Sequence, residues 1–336
     1  MESNVTSQSA PVRWGVISAA NIGVKRTAPA IVASNNGQLV AVASRDPERA
    51  RELYHFAPNV RIYGDYDSLI NDPEIEAIYN PLPNSLHAMW TIKALRAGKH
   101  VLCEKPMSIT AEQGATVVQV AQEQRRLLME AFMYRFHPQI TWSLEQVAAG
   151  RLGQVRLVRG SFSFDIRLRP GDIRLIPELA GGSLMDVGCY LVNLCRAVYS
   201  HPPLVVAARV YVPAIGAVDH STTAVLDFGE GQFGMLDSSF DLPMRQGAEI
   251  IGEKGMITIP EPFTSYKSEA IVLLAAEGQV TEQRFPPVDQ FQLEVEHFAT
   301  CIRSGQQPAF SLEETLENMA TLEAIYRAAG HAWPIV

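Results

Sequence analysis

Residue types that can carry charge or transfer protons occur in two short segments, one in each half of the chain. Lys105 lies in the segment 103–106, directly after an apolar run. Asp186 and Tyr190 lie in the segment 181–190, and on a helix residues four apart project from the same face. Gly188 between them would leave room for a closely packed ligand. An ammonium, a carboxylate and a phenol at one cleft are the groups that acid–base catalysis uses.

A parallel sheet would position Lys105. From Val12 to Ala131, short apolar runs alternate with helical stretches, which predicts an α/β domain with a doubly wound parallel sheet of the Rossmann type. The predicted strands are residues 13–18, 38–44, 61–63, 77–80, 100–103 and 127–131. Ligands bind such sheets at the carboxyl ends of the strands, and Lys105 follows one of these ends.

The second half of the chain has a different rhythm, because beyond about Arg135 strands follow one another with only turns between them. This pattern predicts an α+β domain with an open, mainly antiparallel sheet and flanking helices. The predicted strands are residues 155–164, 204–211, 221–228, 232–239, 255–259, 270–275 and 279–285. We therefore expect a dinucleotide-binding domain at 11–134 and a substrate-binding and oligomerisation domain at 135–336. An open sheet leaves one face uncovered, which favours a symmetric homo-oligomer, either a dimer or a dimer of dimers.

The turn after the first strand is a degenerate phosphate loop. Aligned on the pattern G-x-G-x-x-G, Ser18 and Ala20 stand at the first two glycines and only Gly23 remains. Small side chains still let backbone amides and a helix N-terminus approach a pyrophosphate. The alternative is a strand-to-helix turn of small residues without a ligand. The residues expected to contact a cofactor here are Ser18, Ala19, Ala20, Asn21 and Ile22.

The end of the second strand indicates which dinucleotide would bind. Ser44 and Arg45 stand where an NAD site usually carries an acid against the ribose, whereas a guanidinium suits the 2′-phosphate of NADP. Arg49, one helical turn further on, would reinforce that charge. Two alternatives stay open: Arg45 could simply begin a solvated helix, and Asp46 could be the ribose acid of an NAD site. We favour NADP, with NAD possible.

Composition excludes several other classes of protein. The 336 residues contain 28 Lys and Arg against 36 Asp and Glu, a net charge of −8, which does not suit nucleic acid or an anionic membrane. No apolar run approaches the roughly 20 residues that span a bilayer. The first eleven residues, Met1–Pro11, lack the pattern of an export signal. Four scattered cysteines fit a reducing cytoplasm, and no set of side chains has metal-ligand spacing.

The motifs around these residues resemble the Gfo/Idh/MocA oxidoreductase family. The tripeptide Glu104-Lys105-Pro106 stands at the expected strand end, after the turn 81–87. The family pattern Asp-x-Gly-x-His is present with Tyr190 in place of the histidine. That departure resembles the subgroup of glucose-fructose oxidoreductase, dimeric dihydrodiol dehydrogenase and NADP-dependent D-xylose dehydrogenase. The resemblance covers nearly the whole chain beyond residue 11.

The resemblance implies hydride transfer between C1 of a cyclic aldose and the nicotinamide of NADP. A phenol with a pKa of about 10 is a poor base unless a cation lowers that pKa. We therefore expect Tyr190 to carry the proton, Lys105 to lower the pKa of Tyr190, and Asp186 to position the substrate or keep Lys105 protonated. One alternative is the oxidation of trans-dihydrodiols or other cyclic polyols. An alternative of another class is a regulatory protein that senses NADP without turnover.

The resemblance also implies further contacts. The cofactor would meet residues after the fourth and fifth strands, namely Pro81, Leu82, Asn84, His87 and Glu104, although a histidine at a helix start is often structural. The substrate would meet Arg135, His137 and Arg167 together with Asp186 and Tyr190. His137 could instead belong to the domain junction. One loop is crowded with charges and could bind hydroxyls of a sugar or could simply be solvated; these charges are Arg167, Arg169, Asp172 and Arg174.

Overall fold

A sheet of six parallel strands forms the first half of the chain. The computed structural model describes residues 10–169 and 171–333. Residues 1–9 lie outside the described residues, and they make up most of the segment for which the sequence predicts no export signal. The strands of this sheet are β1 (Val12–Ile17), β2 (Gly37–Ala43), β3 (Arg61–Tyr63), β4 (Ala77–Asn80), β5 (His100–Glu104) and β6 (Leu128–Ala131). Their order is β3-β2-β1-β4-β5-β6, and every pair is parallel. The predicted doubly wound sheet is therefore confirmed.

The helices of this half cover both faces of the sheet. A π-helical segment, Gly23–Thr27, follows β1 and continues into the first α-helix. The α-helices are α1 (Ala28–Ala33), α2 (Pro47–Leu53), α3 (Tyr66–Ile70), α4 (Asn84–Arg96) and α5 (Ala111–Glu123). The side chains of Asp46, Asp65 and Thr110 cap α2, α3 and α5 by accepting bonds from backbone amides. These caps satisfy amides that have no partner within their helix.

The second half contains a sheet of eight strands. They are β7 (Val155–Ser163), β8 (Leu204–Tyr211), β9 (Ser221–Asp227), β10 (Phe233–Ser239), β11 (Arg245–Gly252), β12 (Gly255–Ile259), β13 (Ala270–Ala276) and β14 (Gln279–Phe285). Their order is β14-β13-β12-β11-β7-β10-β9-β8. The pair β7 and β10 is parallel, and the other neighbours are antiparallel, as expected for a mainly antiparallel sheet.

One central strand was not predicted. β11 pairs with both β7 and β12, yet it begins with the polar residues Arg245 and Gln246 and contains Gly247. Only Ala248 and Ile250 turn inward and are buried. A glycine and two long polar side chains have low strand propensity, so pairing on both sides decides the structure here.

Four further helices complete the second half: α6 (Pro138–Ala148), α7 (Cys189–Tyr199), α8 (Gln290–Ser304) and α9 (Leu312–Ala328). Helix α7 is buried on nearly all sides and packs on β7 and α9. Helix α8 packs on α1 and β1, and Phe298 of α8 lies 5.9 Å from the ring of Trp14 in β1. The two halves therefore share a packed boundary. Within 10–169 and 171–333, no helix combines the length and the apolar character that a membrane crossing requires.

Candidate active site

A cavity of about 760 Å³ lies where the carboxyl ends of β1, β2, β4 and β5 face the second sheet. Every first-domain residue that the sequence predicts as a cofactor contact lines it: Ser18, Ala19, Ala20, Asn21, Ile22, Ser44, Arg45, Arg49, Pro81, Leu82, Asn84, His87, Glu104 and Lys105. Asp186 and Tyr190 line the same cavity from the second half. This is the crevice in which doubly wound sheets bind their ligands.

The turn after β1 resembles a phosphate loop in the backbone conformation of Ser18, although Ser18 and Ala20 replace the first two glycines. Ser18 adopts a left-handed backbone conformation with φ of 89°, a conformation that glycine usually supplies. Its hydroxyl accepts a bond from the amide of Ala20 at 3.2 Å, which supports this conformation locally. At Gly23 a Cβ atom would lie 3.4 Å from Pro81 Cγ, so helix and strand end approach closely. The following helix N-terminus faces the cavity and fits a pyrophosphate.

Two cations, Arg45 and Arg49, follow the end of β2, and the carboxylate between them, Asp46, already caps a helix. Asp46 Oδ1 accepts the amide of Arg49 at 3.0 Å and so caps α2. Arg45 and Arg49 are exposed at the edge of the cavity, and the hydroxyl of Ser44 accepts the amide of Asp46. Because Asp46 is used as a cap while both guanidiniums are exposed, this edge suits a phosphate better than a ribose hydroxyl alone.

His87 lines the cavity, but its ring nitrogens are used inside the protein. Nδ1 contacts the carbonyl of Pro106 at 2.8 Å, and Nε2 contacts the carbonyl of Leu82 at 2.6 Å. Burial lowers the pKa of His87 to about 4. Both ring nitrogens are thus engaged by backbone carbonyls, and the cofactor contact of His87 stays a prediction that rests on its place in the cavity wall. His87 instead ties the turn after β4 to the turn after β5.

Asn84 and Glu104 are also held by protein contacts. Asn84 Nδ2 donates to the carbonyl of Ala180 at 2.8 Å, which connects the start of α4 to the second half across the cleft. Glu104 Oε1 accepts the hydroxyl of Tyr79 at 2.6 Å, and burial raises the pKa of Glu104. Both residues thus line the cavity with side chains that other parts of the protein hold in place.

Lys105 and Asp186 meet across the cleft. Lys105 Nζ donates to the backbone carbonyl of Asp186 at 2.7 Å and to its Oδ1 at 3.1 Å. Burial alone would lower the pKa of Lys105, but the adjacent Asp186 raises it above the ordinary value. Lys105 is therefore an ammonium at neutral pH and brings a fixed positive charge to the cavity.

Tyr190 lies in a box of aromatic rings formed by Phe132, Tyr134, Phe162 and Phe263. Its hydroxyl contacts Met133 Sδ at 3.5 Å. Burial, followed by the charge of Glu104, raises the pKa of Tyr190 well above its ordinary value. The net pKa of Tyr190 is raised although the Lys105 ammonium lies over its ring, so the loss of hydration outweighs the lowering that a cation supplies. Tyr190 is a protonated phenol.

The segment that carries Asp186 is helical, but its first turn is wider than an α-helix. Leu184–Gly188 is π-helical, and α7 begins at Cys189. At Gly188 a Cβ atom would lie 2.7 Å from Leu184 Cδ1 and 3.2 Å from Ser238 Oγ. The expectation that Gly188 makes room for a ligand is therefore wrong, since it makes room for a side chain of its own turn and for β10. π-helical turns often occur at functional sites.

Three residues predicted to bind substrate do not line the cavity. Arg135 Nη1 pairs with Glu314 at 2.7 Å, at the side of α9. His137 is fully buried, and its Nδ1 accepts the amide of Gln139 as the cap of α6. Arg167 is exposed and pairs with Asp165. None of the three side chains reaches the cavity in this structure, because carboxylates hold Arg135 and Arg167 and the start of α6 holds His137.

Several residues that line the cavity were not predicted as site residues. They are chiefly the aromatic side chains Phe162, Phe164, Tyr266 and Phe291. Phe291 was assigned to the apolar face of a helix. Arg174 lines the cavity as well, from the charged loop that the sequence left open between a sugar-binding loop and a solvated one.

Comparison with known proteins identifies the family. Residues 12–132 match the family model described as an oxidoreductase family with an NAD-binding Rossmann fold, and residues 144–258 match the GFO/IDH/MocA C-terminal domain. A parallel sheet with a phosphate loop, an ammonium and a phenol at one cleft is the arrangement that such an oxidoreductase requires. The chain belongs to the Gfo/Idh/MocA oxidoreductase family, which confirms the resemblance.

Individual relatives are dehydrogenases and reductases. The chain is 38% identical to D-xylose 1-dehydrogenase (NADP(+)) 2 of Haloferax volcanii, over 94% of this chain and 97% of that protein. It is 29% identical to trans-1,2-dihydrobenzene-1,2-diol dehydrogenase of Xenopus tropicalis, over 96% and 99% of the two chains. A 3-ketoreductase from Actinomadura kijaniata, solved with NADP and TDP-benzene, superposes with a TM-score of 0.89, 29% identity and coverage of 95% and 98%. The chain is therefore an NAD(P)-dependent enzyme, and the alternative of a non-catalytic regulator is wrong.

Proposed function

We propose that this protein is an NADP-dependent sugar dehydrogenase that transfers hydride between C1 of a cyclic aldose and nicotinamide. In this proposal residues 11–134 hold the cofactor, and residues 135–336 hold the substrate. One observation supports this proposal. A single cavity is lined by the phosphate loop, by Lys105 from the first half, and by Asp186 and Tyr190 from the second. The D-xylose dehydrogenase of Haloferax volcanii supports the choice of an aldose.

The chain supplies charge and a proton to this reaction, while NADP takes up or delivers the hydride. Lys105 would face the oxygen at C1, where negative charge develops as the C–H and O–H bonds change. Tyr190 would exchange the proton with that oxygen. Its hydroxyl contacts a thioether sulfur, a weak acceptor, and can turn to a substrate oxygen at little cost. Because its pKa is raised, Tyr190 holds a proton at neutral pH, and this is the proton that it would donate to the substrate oxygen in the reductive direction.

In the oxidative direction Tyr190 would first release its own proton to solvent, and the phenolate would then accept the proton of the substrate hydroxyl. The Lys105 ammonium, 5.0 Å above the ring, then favours the phenolate. Asp186 cannot serve as the base at neutral pH. Although burial acts to raise its pKa, Arg174 and then Lys105 hold the pKa of Asp186 at about 2. Asp186 therefore orients Lys105 and does not accept the proton.

The choice of NADP rests on the end of β2. Arg45 and Arg49 are exposed at the edge of the cavity, and Asp46 caps α2. Two guanidiniums can form charge-assisted bonds to a 2′-phosphate that NAD lacks. The xylose dehydrogenase and the 3-ketoreductase, which bind NADP by their descriptions, support the same choice.

A second candidate substrate is a cyclic diol. Phe162, Phe164, Tyr266 and Phe291 give the cavity an aromatic wall, which would pack on an unsaturated ring better than on a polyhydroxylated one. The dihydrodiol dehydrogenase of Xenopus tropicalis supports this alternative.

The test is the reduction of NADP and NAD across a panel of pentoses, hexoses and cyclic trans-diols, followed at the absorbance of the reduced nicotinamide. We expect turnover with at least one aldose, a lactone as product, and a higher kcat/KM with NADP. Turnover confined to diols would replace the first candidate by the second. Turnover with neither class would overturn both.

We also propose that the protein forms a homodimer or a dimer of dimers through the outer face of the second sheet. A mostly apolar row crosses this face, because the register places Phe233, Leu157, Ile251, Met256, Ala275 and Val280 side by side. Asp227 separates Phe233 from Leu204 at the end of this row. Phe233 is 40% exposed and Val280 71% exposed. Such a row is typical of a self-association surface. Sedimentation at micromolar concentration should show a dimer or larger, and Phe233→Glu should shift it to monomer; a wild-type monomer would overturn the proposal.

We propose a cytoplasmic location as well. All four cysteines are free and buried, as a reducing compartment would leave them. Fractionation of cells that express the native gene should recover the protein with cytoplasmic markers, and recovery from the culture medium would contradict this.

A further inference from the structure

Arg174 forms the second cationic contact of Asp186. Its Nε donates to Asp186 Oδ2 at 2.8 Å, while Lys105 binds Oδ1 of the same carboxylate at 3.1 Å. Arg174 Nη1 donates to Asp172 Oδ1 at 3.2 Å. The carboxylate of Asp186 is therefore held at both oxygens, by one cation from each half of the protein.

The backbone is built to bring Arg174 to this place. The amide of Gly182 donates to the carbonyl of Arg174 at 2.9 Å. At Gly181 a Cβ atom would lie 2.2 Å from that same carbonyl oxygen, and backbone atoms cannot move aside as a flexible side chain can. Gly182 has φ of 113°, a conformation that other residues rarely adopt. The glycine pair therefore serves to seat Arg174 beside Asp186.

We propose that Arg174 is a positioning residue of the hydride-transfer reaction, which keeps Asp186 ionised and fixed so that the Lys105 ammonium stays directed into the cleft. This inference rests on the proposed function. A buried carboxylate held by one cation alone can rotate and can take up a proton, and Lys105 would then lose the charge that orients it. With Arg174 on Oδ2, only Oδ1 and the backbone carbonyl remain for Lys105.

The electrostatics around Asp186 support this role. Burial acts to raise the pKa of Asp186, and the charge of Arg174 is the largest influence that lowers it, ahead of Lys105. Other ionisable groups near this contact lie on several elements: Asp172 on the loop of Arg174, Glu104 on β5, Glu130 on β6, His87 on α4, and Cys189 and Tyr190 on α7. Burial lowers the pKa of His87 to about 4, so this ring is neutral at neutral pH. None of these is a cation, so Arg174 and Lys105 share the stabilisation of this carboxylate.

The test is a double-mutant cycle between Arg174→Gln and Asp186→Asn, read as kcat and KM with NADP and the substrate that turns over. In the wild-type background we expect Arg174→Gln to lower kcat about tenfold or more with little change in the dissociation constant of NADP. In the Asp186→Asn background the same substitution should have an effect of less than about twofold, because its partner is already neutral. Equal effects in both backgrounds would overturn the proposal.

Two further measurements separate positioning from folding. In the plot of kcat against pH, the acidic limb should move to higher pH in Arg174→Gln, because Asp186 then takes up a proton more easily. In Arg174→Lys the limb should return towards the wild-type position. A residue needed only for folding would leave the limb in place. The matched control is Arg167→Gln on the same loop, which removes an exposed guanidinium paired with Asp165 and should match the wild type.

The outcome also stays separate from that of the proposed function. If the wild-type protein turns over no sugar or diol, the proposed function fails. The same cycle is then read as the free energy of unfolding in urea between pH 2 and 7, a range that includes the pKa of Asp186 in the folded protein and in the unfolded chain. Coupling between Arg174 and Asp186 that fades as the pH falls supports the role of Arg174 in keeping Asp186 ionised, and additive effects at every pH overturn it.

Discussion

The ammonium of Lys105 lies 5.0 Å above the ring centroid of Tyr190, and the hydroxyl of Tyr190 contacts Met133 Sδ at 3.5 Å. The cation thus faces the π surface of the phenol, and its hydrogen bonds go to Asp186. A substrate oxygen would have to enter between these groups to contact both. This arrangement separates the source of positive charge from the source of the proton, and each can be removed without the other.

Removing the phenolic oxygen should abolish most turnover. Tyr190→Phe keeps the ring in its aromatic box but removes the group that exchanges a proton, so we expect kcat to fall by roughly 10²–10⁴-fold. The free energy of unfolding should change little, because the hydroxyl has only a weak sulfur contact. Steady-state kinetics and urea unfolding measure the two effects.

The matched control for that variant is Tyr134→Phe. Tyr134 packs against Tyr190, but its hydroxyl donates to Asn193 at 2.6 Å away from the cavity. We expect this control to lose about 1 kcal/mol of stability and to keep its turnover. A Tyr190→Phe protein as active as Tyr134→Phe would remove the phenol from the mechanism.

Replacing the ammonium should cost a comparable amount. Lys105→Met removes the positive charge from the developing oxyanion, which corresponds to about 2–4 kcal/mol of barrier and a fall in kcat of roughly 30-fold to 10³-fold. Lys93→Met is the control, since Lys93 pairs with Asp67 at the surface of α4. Similar kinetics for the two variants would show that Lys105 has no role at the reacting oxygen.

The guanidinium of Arg45 should decide between the two cofactors. Arg45→Ala should raise the KM for NADP about tenfold to a hundredfold and leave the KM for NAD almost unchanged, because only NADP offers a phosphate to it. Arg51→Ala, which removes an exposed cation paired with Glu48 on the same helix, is the control. Preference for NADP that persists in Arg45→Ala would contradict this account of cofactor choice.

A buried carboxyl in β6 should make stability depend on pH. Glu130 accepts the amide of Met107 at 2.9 Å, and burial raises the pKa of Glu130 from 4.5 to about 7. Below about pH 4.5 the carboxyl is protonated in both states. As the pH rises towards 7 the unfolded chain loses this proton first, so the stability that Glu130 contributes declines.

Glu130→Gln keeps an acceptor for Met107 but cannot ionise. The free energy of unfolding should therefore fall less between pH 5 and 8 in this variant than in the wild type, by on the order of 2–3 kcal/mol. Glu112→Gln, at an exposed position on α5, is the control and should keep the wild-type slope. Parallel pH curves for Glu130→Gln and the wild type would contradict the prediction.

The first sheet could be predicted because its strands are buried on both faces and so appear as continuous apolar runs. β11 could not, since its short apolar alternation is interrupted by Gly247 and its place depends on pairing with β7 and β12. Periodicity reports burial, and it carries no information about which strands pair across a long stretch of chain.

The sequence by itself determined the family, the doubly wound sheet, and the three groups Lys105, Asp186 and Tyr190, because these follow from local pattern and motif spacing. The tertiary structure alone decided the rest. Arg135 pairs with Glu314, which lies 179 residues further along the chain, and Arg174 pairs with Asp186. Burial kept the phenol of Tyr190 protonated although a cation lies above its ring. Side-chain direction and hydration depend on what packs around a residue, and that is fixed only when distant segments come together.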